Sequence, residues 1–401
     1  MTVVQPVGDR GMTRRGLVGA ALAAGASVPL GIAGRATAAT ADPGPVRLTL
    51  PAPTGPYRVG TVPLHLVDRS QPDPLAGPGR YRELMVSVWY PARDVRRYPL
   101  APWMTTASMR TLLDSAGFDP DAALAPLTAG HQGAPVRHSG RRLPVIVYSH
   151  GTGSHRSDTT IVVQELASHG YVVVTVDHTY DGYSEFPDGR VTVEEDSYHA
   201  TPWTYTRDVR FVLDQISELA AGGNPDVGQA RLPAGLGPAL DLNRIGMFGW
   251  SKGGTATALT MGTDQRIQAG LSLDGPMQSQ PLPSTDLHRP FMLMTAEFTR
   301  ATEPAVAEFF THLRGWRLNI HAAGAVHSSY GDNQWLVPQL ARVIGMSDEE
   351  LTGWIGTLDP SRAVRIGQAY PLAFFDRHLR HRGSHLLSGP SRRFPEVTFV
   401  S

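Results

Sequence analysis

Three residue types that together perform nucleophilic attack on a carbonyl occur in this chain in the order serine, aspartate, histidine. Ser251 lies at the centre of a Gly-Trp-Ser-Lys-Gly segment, Asp274 directly follows an apolar run, and His327 follows a predicted strand. A serine hydroxyl is a poor nucleophile at its own pKa and needs a base to take its proton. We expect His327 to do this, with Asp274 accepting from the other ring nitrogen and fixing the tautomer.

The segment around Ser251 is typical of a sharp turn from a strand into a helix. An apolar Ile-Gly-Met-Phe run leads in at residues 245–248, and helix-forming residues lead out. Strand and helix nearly touch two positions before and after such a serine, where Gly249 and Gly253 supply residues without Cβ. In a chain with 42 glycines the pentapeptide alone is not specific, so its strand–turn–helix setting supports the assignment.

A nucleophilic serine also needs backbone donors for the oxyanion that develops on the substrate. Residues 148–153, Tyr-Ser-His-Gly-Thr-Gly, end a predicted strand, and the turn leaves the N–H of Lys252 facing the reacting atom. We predict the N–H groups of Thr152 and Lys252 as the oxyanion hole. Trp250 and His150 are predicted to contact substrate, although a role in shaping the loop that carries Thr152 is favoured for His150.

Other acids and bases compete with these assignments. Asp177 follows the predicted strand 171–176 and is a rival acid, although an aspartate there is often a helix cap. The position of Asp274 after the elbow strand favours it. Three other histidines near the same face precede Ser251, which favours His327: His150, His155 and His178. The acidic residues 194–196 are interpreted as a solvated face and not a calcium site, because no neighbours complete a ligand set.

Apolar strands alternate with helices along most of the chain, which predicts an α/β fold with a mostly parallel sheet and helices on both faces. In such sheets catalytic groups collect beyond the carboxyl ends of the strands, and the Ser…Asp…His order is that of the α/β-hydrolase fold. The predicted strands are 47–50, 57–68, 83–90, 143–148, 171–176, 245–248, 269–273, 291–294, 318–321 and 396–400. The predicted helices are 105–116, 158–169, 204–219, 303–314 and 365–380.

Composition excludes several functional classes. The formal net charge of the 401 residues is +0 and only 18% are charged, so we expect no nucleic-acid partner. The absence of cysteine excludes a disulfide framework and a thiol nucleophile. No Cys/His set has metal-ligand spacing, and we expect neither a metal nor a cofactor. The oligomeric state is left open.

The N-terminus is predicted to be an export signal of the twin-arginine type, cleaved from the mature protein. Residues 1–41 combine paired arginines at 14–15, a mildly apolar stretch at 17–32 and small-residue cleavage sites. A membrane anchor is disfavoured because Pro29 and several glycines interrupt a stretch too short to span. We therefore expect a secreted single domain, residues 42–401.

A long insertion at about residues 91–142 interrupts the α/β alternation and contains one predicted helix. It is too long for a simple connection and is interpreted as a lid or rim element. Trp103, Met104 and the pair Leu112–Leu113 would present an apolar edge to substrate or to a lipid surface. The alternative is that this edge packs on the core.

With these residues in view, the chain resembles the secreted type of platelet-activating factor acetylhydrolase, close to the lipoprotein-associated phospholipase A2 group. The segments that carry the resemblance contain the entry strands, the oxyanion strand with its following helix, and the acid and base positions: 57–60, 86–91, 144–151, 166–171, 273–275 and 326–327. The family's second oxyanion donor falls on Thr152. Trp250 stands where the family usually has His, and Lys252 where it usually has Phe. Both flanking side chains are expected near the mouth of the site.

The resemblance implies calcium-independent hydrolysis of short-acyl or oxidised-chain glycerophospholipids. Two alternatives stay open: a broad esterase or lipase acting on polyesters or triglycerides, and a non-catalytic secreted binding protein on the same scaffold. The complete Ser, Asp and His set argues against the binding protein, which would not need it. The expected partner is a small-molecule or lipid ester.

Overall fold

A computed structural model describes residues 44–137, 140–279 and 286–401; the predicted export signal lies outside them. The strands are β1 Val46–Arg47, β2 Arg58–Pro72, β3 Tyr81–Ala92, β4 Leu100–Pro102, β5 Ala123–Leu124, β6 Leu127–Gln132, β7 Leu143–Ser149, β8 Val172–Val176, β9 Ser184–Glu185, β10 Val191–Thr192, β11 Leu240–Trp250, β12 Ile267–Leu273, β13 Phe291–Thr295, β14 Arg317–Ala322 and β15 Val397–Phe399. The helices are α1 Thr106–Ser115, α2 Thr160–Ser168, α3 Pro202–Ala220, α4 Leu236–Ala239, α5 Lys252–Thr263, α6 Pro304–His312, α7 Asn333–Ile344, α8 Asp348–Ile355 and α9 Pro360–Leu379. Short 3₁₀ turns span Val95–Arg97, His327–Tyr330 and His385–Leu387.

An 11-stranded sheet in the order β15-β14-β13-β12-β11-β7-β8-β3-β2-β6-β4 forms the centre of the molecule. From β14 to β8 the neighbours run parallel, and β15 and β3 pair antiparallel at the two ends of that block. The predicted mostly parallel sheet is therefore confirmed. Because the strands of this block run the same way, the residues that follow them meet at one edge of the sheet.

Alternate residues of the buried strands enter two separate apolar cores, one on each face of the sheet. Val145 and Val147 of β7 belong to the core covered by α3, α5 and α6. Ile146 and Tyr148 belong to the core covered by α2 and α9. Strands buried on both faces explain the unbroken apolar runs in the sequence, and the prediction of helices on both faces is confirmed.

The insertion at about residues 91–142 adds to the sheet. Its strands β6 and β4 extend the edge, with β6 parallel to β2 and β4 antiparallel to β6. Trp103 is 4% exposed, and it is buried with Met104 and Leu113 against α7 in a third apolar cluster. Of the two interpretations of this edge, the structure supports packing on the core, because α7 covers these three side chains. Leu112 is half-buried beside them.

Two helices on the C-terminal side of His327 were not anticipated. Helix α7 contains Pro338, which has no backbone N–H to donate within the helix. Helix α8 is short and begins at a capping box formed by Ser347 and Glu350. No helix in the described ranges is long and apolar enough to cross a membrane.

Candidate active site

Ser251 is the single residue between β11 and α5, and its backbone conformation is one that residues other than glycine rarely adopt. Its φ is 54° and its ψ is −121°, outside the regions that L-residues favour. A Cβ on Gly249 would overlap the main chain of Gly253, and one on Gly253 would lie 2.6 Å from the His150 oxygen. The two glycines therefore permit the close crossing of strand and helix that lifts Ser251 above the sheet.

Asp274 directly follows β12 and is held by four donors. Its carboxylate accepts the N–H groups of Ala296 at 2.7 Å, Phe298 at 3.0 Å and Glu297 at 3.2 Å, and the Nδ1–H of His327 at 2.7 Å. The residue is 1% exposed and has a φ of 47°. The three main-chain donors fix the carboxylate, so that its remaining interaction orients the imidazole.

His327 lies in the 3₁₀ turn after β14, and both its backbone and its ring are held. Its N–H donates to Glu297 Oε1 at 3.0 Å, and its main-chain oxygen accepts from Trp250 Nε1 at 2.8 Å. Its ring lies 4.9 Å from the Trp250 ring and 5.0 Å, edge to face, from that of Phe298. With Nδ1–H donated to Asp274, the bare Nε2 is the nitrogen left to accept a proton.

The structure thus brings Asp274 and His327 together beside Trp250, the chain neighbour of Ser251. No hydrogen bond joins the Ser251 hydroxyl to His327 in the described chain. Such catalytic hydrogen bonds are often long in ligand-free enzymes and tighten when substrate binds.

The loop after β7 lies against Ser251. A Cβ on Gly151 would come within 2.6 Å of the Trp250 ring and 2.9 Å of the Ser251 Cβ. The N–H groups of Thr152 and Lys252 donate to no acceptor in the described residues. For Lys252 this follows from its place as the first residue of α5, whose early N–H groups have no acceptor within the helix. Both candidate N–H groups therefore lie near Ser251 and can donate to an acceptor on a substrate.

His150 is fully buried beneath this loop, and its contact with substrate stays a prediction. Its Nε2 accepts the N–H of His178 at 3.0 Å, so the ring proton is on Nδ1, 2.6 Å from the Gly151 oxygen. Burial, with the nearby His178, holds the pKa of His150 well below its usual range. The neutral ring therefore donates to the Gly151 oxygen and holds the loop that carries Thr152, as expected if His150 shapes this loop.

Both residues that flank Ser251 have partners within the protein. Trp250 is half-buried between His327 and Gly151, and its contact with substrate stays a prediction. The Lys252 side chain is 17% exposed; its Nζ donates to Asp181 Oδ2 at 2.6 Å and to the Ala200 oxygen at 2.9 Å. The Lys252 side chain is therefore directed at a buried carboxylate, and its expected place at the mouth of the site stays a prediction.

The rival acid and bases have other partners. Asp177 accepts from the N–H and the guanidinium of Arg156. His178 donates Nδ1–H to Asp208 at 2.9 Å, and Asp208 also binds Arg82. His155 is buried and packs edge-to-face on Trp103. In the described part of the chain no three His, Cys, Asp or Glu side chains are grouped so that they could hold a metal ion.

The sequence did not reveal a polar network beneath the loop that follows β7, which is called the oxyanion loop below. Its members are Asp181, Tyr205, Asp208 and Arg82. Arg82 lies on β3, Asp181 follows β8, and Tyr205 and Asp208 lie on α3, so the members share no local motif. The one available signal was the Asp-His pair at residues 177–178, which follows a predicted strand in the manner of a site residue.

The topology, with a serine turned between a central parallel strand and the next helix, is that of an α/β-hydrolase. A family model described as "Platelet-activating factor acetylhydrolase, isoform II" matches residues 46–184 and 212–385, and the chain belongs to this family. The chain is therefore a carboxylic ester hydrolase, in agreement with the names of the proteins that it resembles.

Three similar proteins illustrate the breadth of the likeness. A "Probable 1-alkyl-2-acetylglycerophosphocholine esterase" of Arthroderma benhamiae is 25% identical, over 89% of this chain and 95% of that protein. The platelet-activating factor acetylhydrolase of Cavia porcellus is 24% identical, over 82% of this chain and 78% of that protein. The solved structure of a ferulic acid esterase from Streptomyces cinnamoneus is 33% identical with a TM-score of 0.75, over 88% of this chain and 99% of that one.

Proposed function

We propose that this enzyme cleaves its ester through an acyl intermediate on Ser251, with His327 as base and then acid and Asp274 as the group that orients His327. The observation that supports this most directly is the 2.7 Å hydrogen bond from His327 Nδ1 to Asp274 Oδ2. It leaves Nε2 unprotonated on the ring next to Trp250, whose chain neighbour is the serine.

The proposed reaction has two halves. Ser251 Oγ attacks the ester carbonyl carbon while its proton moves to His327 Nε2, and the tetrahedral species collapses as that proton passes to the leaving alcohol. Water then attacks the acyl-serine, giving its proton to Nε2, and Ser251 leaves with that proton as the acid is released. Asp274 stays ionised and stabilises the imidazolium in both halves.

We assign the N–H groups of Thr152 and Lys252 to the oxyanion that forms in each tetrahedral species. Their support is the contact of Gly151 with Ser251 and the lack of any other acceptor for the two amides in the described residues. Removal of one such donor typically costs about 10²–10³ in rate.

For the substrate we propose glycerophospholipids with a short or oxidised acyl chain, supported by family membership and by the two relatives named for acetylated glycerophosphocholine. A second candidate, aromatic esters of the ferulate type, is favoured by the ferulic acid esterase, which has the higher identity of 33%. Polyester or triglyceride cleavage stays the broader alternative. All of these share the same carbonyl chemistry and differ in the groups on either side of it.

A matched ester panel separates these candidates. We would compare kcat/KM for a 2-acetyl glycerophosphocholine, p-nitrophenyl esters of increasing acyl length, and methyl ferulate, using wild type and Ser251→Ala. We expect the acetyl phospholipid and the shortest acyl ester to be the best substrates, and Ser251→Ala to lose at least about 10⁴ of activity on all of them. Ser217→Ala, on α3 away from the site, is the folded control. A preference for methyl ferulate of about tenfold or more would favour the second candidate.

We propose that neither metal nor cofactor takes part, since Ser251, His327 and Asp274 supply the nucleophile, the proton carrier and its orienting charge. Dialysis against EDTA is expected to leave kcat within about twofold. A loss of activity that calcium or zinc restores would overturn this part of the proposal.

We further propose that the protein is exported by the twin-arginine route, on the sequence of residues 1–41. Replacement of Arg14 and Arg15 by lysine is expected to keep the activity inside the cell and the uncut N-terminus in place. Equal amounts of processed enzyme outside the cell from both forms would contradict this route.

A further inference from the structure

Asp181 touches both chain segments that carry the proposed oxyanion donors. Its main-chain oxygen accepts the N–H of Gly153 at 2.9 Å, one residue after Thr152. Its Oδ2 accepts from Lys252 Nζ at 2.6 Å. The residue is 1% exposed, so water does not compete for these interactions. Asp181 therefore links the loop after β7 to the first residue of α5.

Tyr205 contacts both Asp181 and the loop after β7. Its hydroxyl donates to Asp181 Oδ2 at 2.7 Å and lies 3.4 Å from the Gly151 oxygen. The Lys252 ammonium lies 5.5 Å from the centre of the Tyr205 ring, a cation–π distance. The ring itself stacks on His178 at 3.5 Å. The ion pair is thus part of a packed network that leaves it little freedom to move.

The peptide between Gly151 and Thr152 is held from its oxygen side. The Gly151 oxygen accepts from His150 Nδ1 at 2.6 Å and from the Ser154 N–H at 3.2 Å. In a trans peptide the N–H points opposite to the C=O, so these bonds direct the Thr152 N–H away from the buried network. Asp181 then fixes the next N–H along, that of Gly153.

We propose that Asp181 is a positioning residue that sets the separation of the two oxyanion donors, and that the Lys252 ammonium is the tie through which it holds the second donor. This rests on the function proposed above, since it concerns the same N–H groups. A buried ion pair often adds little to the stability of the folded protein, because apolar residues of equal size can stabilise it as much or more. Its value here is geometric, because donors fixed in advance need no reorganisation during the reaction.

The test removes the tie while keeping both donors. Lys252→Met keeps the N–H of residue 252 and the apolar stem, and we would measure kcat and KM on a soluble acetyl ester. We would also measure the Ki of a trifluoromethyl ketone, which becomes an oxyanion when a serine attacks it. We expect kcat to fall about 10- to 100-fold, less than on loss of a donor, with KM within about threefold. The Ki should rise in proportion to the loss in kcat/KM.

Arg362→Met is the matched control, since it removes the cation of an equally short ion pair, 2.6 Å from Glu396, away from the site. We expect it to leave kcat and Ki unchanged. Lys252→Met leaves Asp181 buried without its cation and is at risk of unfolding. The double variant Lys252→Met/Asp181→Asn removes both charges, and we expect it to be folded and to show the same fall in kcat and the same rise in Ki.

A folded Lys252→Met or double variant with kcat and Ki within about twofold of wild type would overturn the proposal. A fall in stability without a change in Ki would also overturn it, because a merely structural tie would behave in that way. Ser251→Ala keeps the two hypotheses apart. If that variant retains esterase activity, the acyl-serine mechanism fails, whereas an inactive Ser251→Ala beside an unaffected Lys252→Met defeats only the role of Asp181 and Lys252.

Discussion

Trp250 Nε1 donates a hydrogen bond to the main-chain oxygen of His327 at 2.8 Å, and the two rings lie 4.9 Å apart at an angle of 35°. Because Trp250 directly precedes Ser251, this bond joins the segment of the proposed nucleophile to the segment of the proposed base. The same indole contacts Gly151 on the oxyanion loop. Trp250 therefore links the three segments of the candidate site.

Trp250→Phe is expected to lower kcat about 3- to 10-fold, because it removes a hydrogen bond of about 1 kcal/mol and keeps an aromatic ring. Steady-state kinetics on a soluble short-chain ester would measure this. Trp316→Phe, which alters an indole packed on α9, is the control and is expected to leave kcat unchanged. A Trp250→Phe enzyme as fast as wild type would mean that the tie does not position His327.

Asp274→Asn is expected to keep the fold and to lower kcat by roughly 10⁴, because an amide in this place favours the wrong imidazole tautomer. Asp177→Asn serves as the comparison, since Asp177 binds Arg156 and has no contact with His327. It should retain most of its activity. If the losses were reversed, Asp177 and not Asp274 would be the acid of the site.

A substitution at Trp103 distinguishes the two interpretations of the insertion, as part of the core or as a rim that contacts lipid. Trp103 is buried, and its Nε1 donates to Asp332 Oδ2 at 2.8 Å. Trp103→Ala is expected to destabilise the protein by about 3–5 kcal/mol, as for other buried aromatic truncations, and to lower activity on soluble and aggregated esters equally. Leu112→Ala, at a half-buried neighbour, should cost far less. Selective loss on aggregated lipid at unchanged stability would restore the rim interpretation.

The buried carboxyl group of Asp158 is expected to make the free energy of unfolding of this protein depend on pH. Its oxygens accept from the Tyr148 and Ser154 hydroxyls, and burial raises its pKa to about 7. The folded state then binds a proton that the unfolded state has lost, so this group's contribution to stability falls as pH rises from about 4 to about 7. Each pH unit in that window is worth about 1.4 kcal/mol.

Urea unfolding of wild type and Asp158→Asn at about pH 5 and about pH 8 isolates this effect. We expect the advantage of wild type over the variant to shrink by up to about 3 kcal/mol at the higher pH. His155, whose pKa burial lowers to about 3, acts in the opposite sense but in both proteins, so it cancels in the difference. An advantage that is constant or grows with pH would contradict a protonated Asp158.

The sequence predicted the fold and the proximity of Asp274 and His327 because both depend on local patterns. Buried parallel strands give apolar runs, and the residues that follow them, Asp274 and His327, meet at one sheet edge. The strand–helix turn at Ser251 was likewise visible from its two glycines. Boundaries were less accurate: the strand predicted at 57–68 extends to Pro72, and the strand predicted at 245–248 begins at Leu240 and ends at Trp250.

What the sequence did not indicate depends on packing between distant segments. The direction of the Lys252 side chain is set by Asp181, 71 positions away. The burial of Trp103 is set by α7, more than 200 positions later. The burial of His150 follows from its place beneath a loop held by His178 and Tyr205. None of these contacts leaves a periodic or compositional pattern along the chain.

The most direct test of the acyl-serine mechanism is the site of covalent labelling by a fluorophosphonate ester. The reagent phosphonylates a serine activated by a neighbouring base, and mass spectrometry of the digested protein locates the adduct. We expect one adduct per chain, on Ser251, with loss of activity in parallel, and no labelling of folded Ser251→Ala. Labelling on another residue, or full activity in a protein labelled at Ser251, would contradict the account.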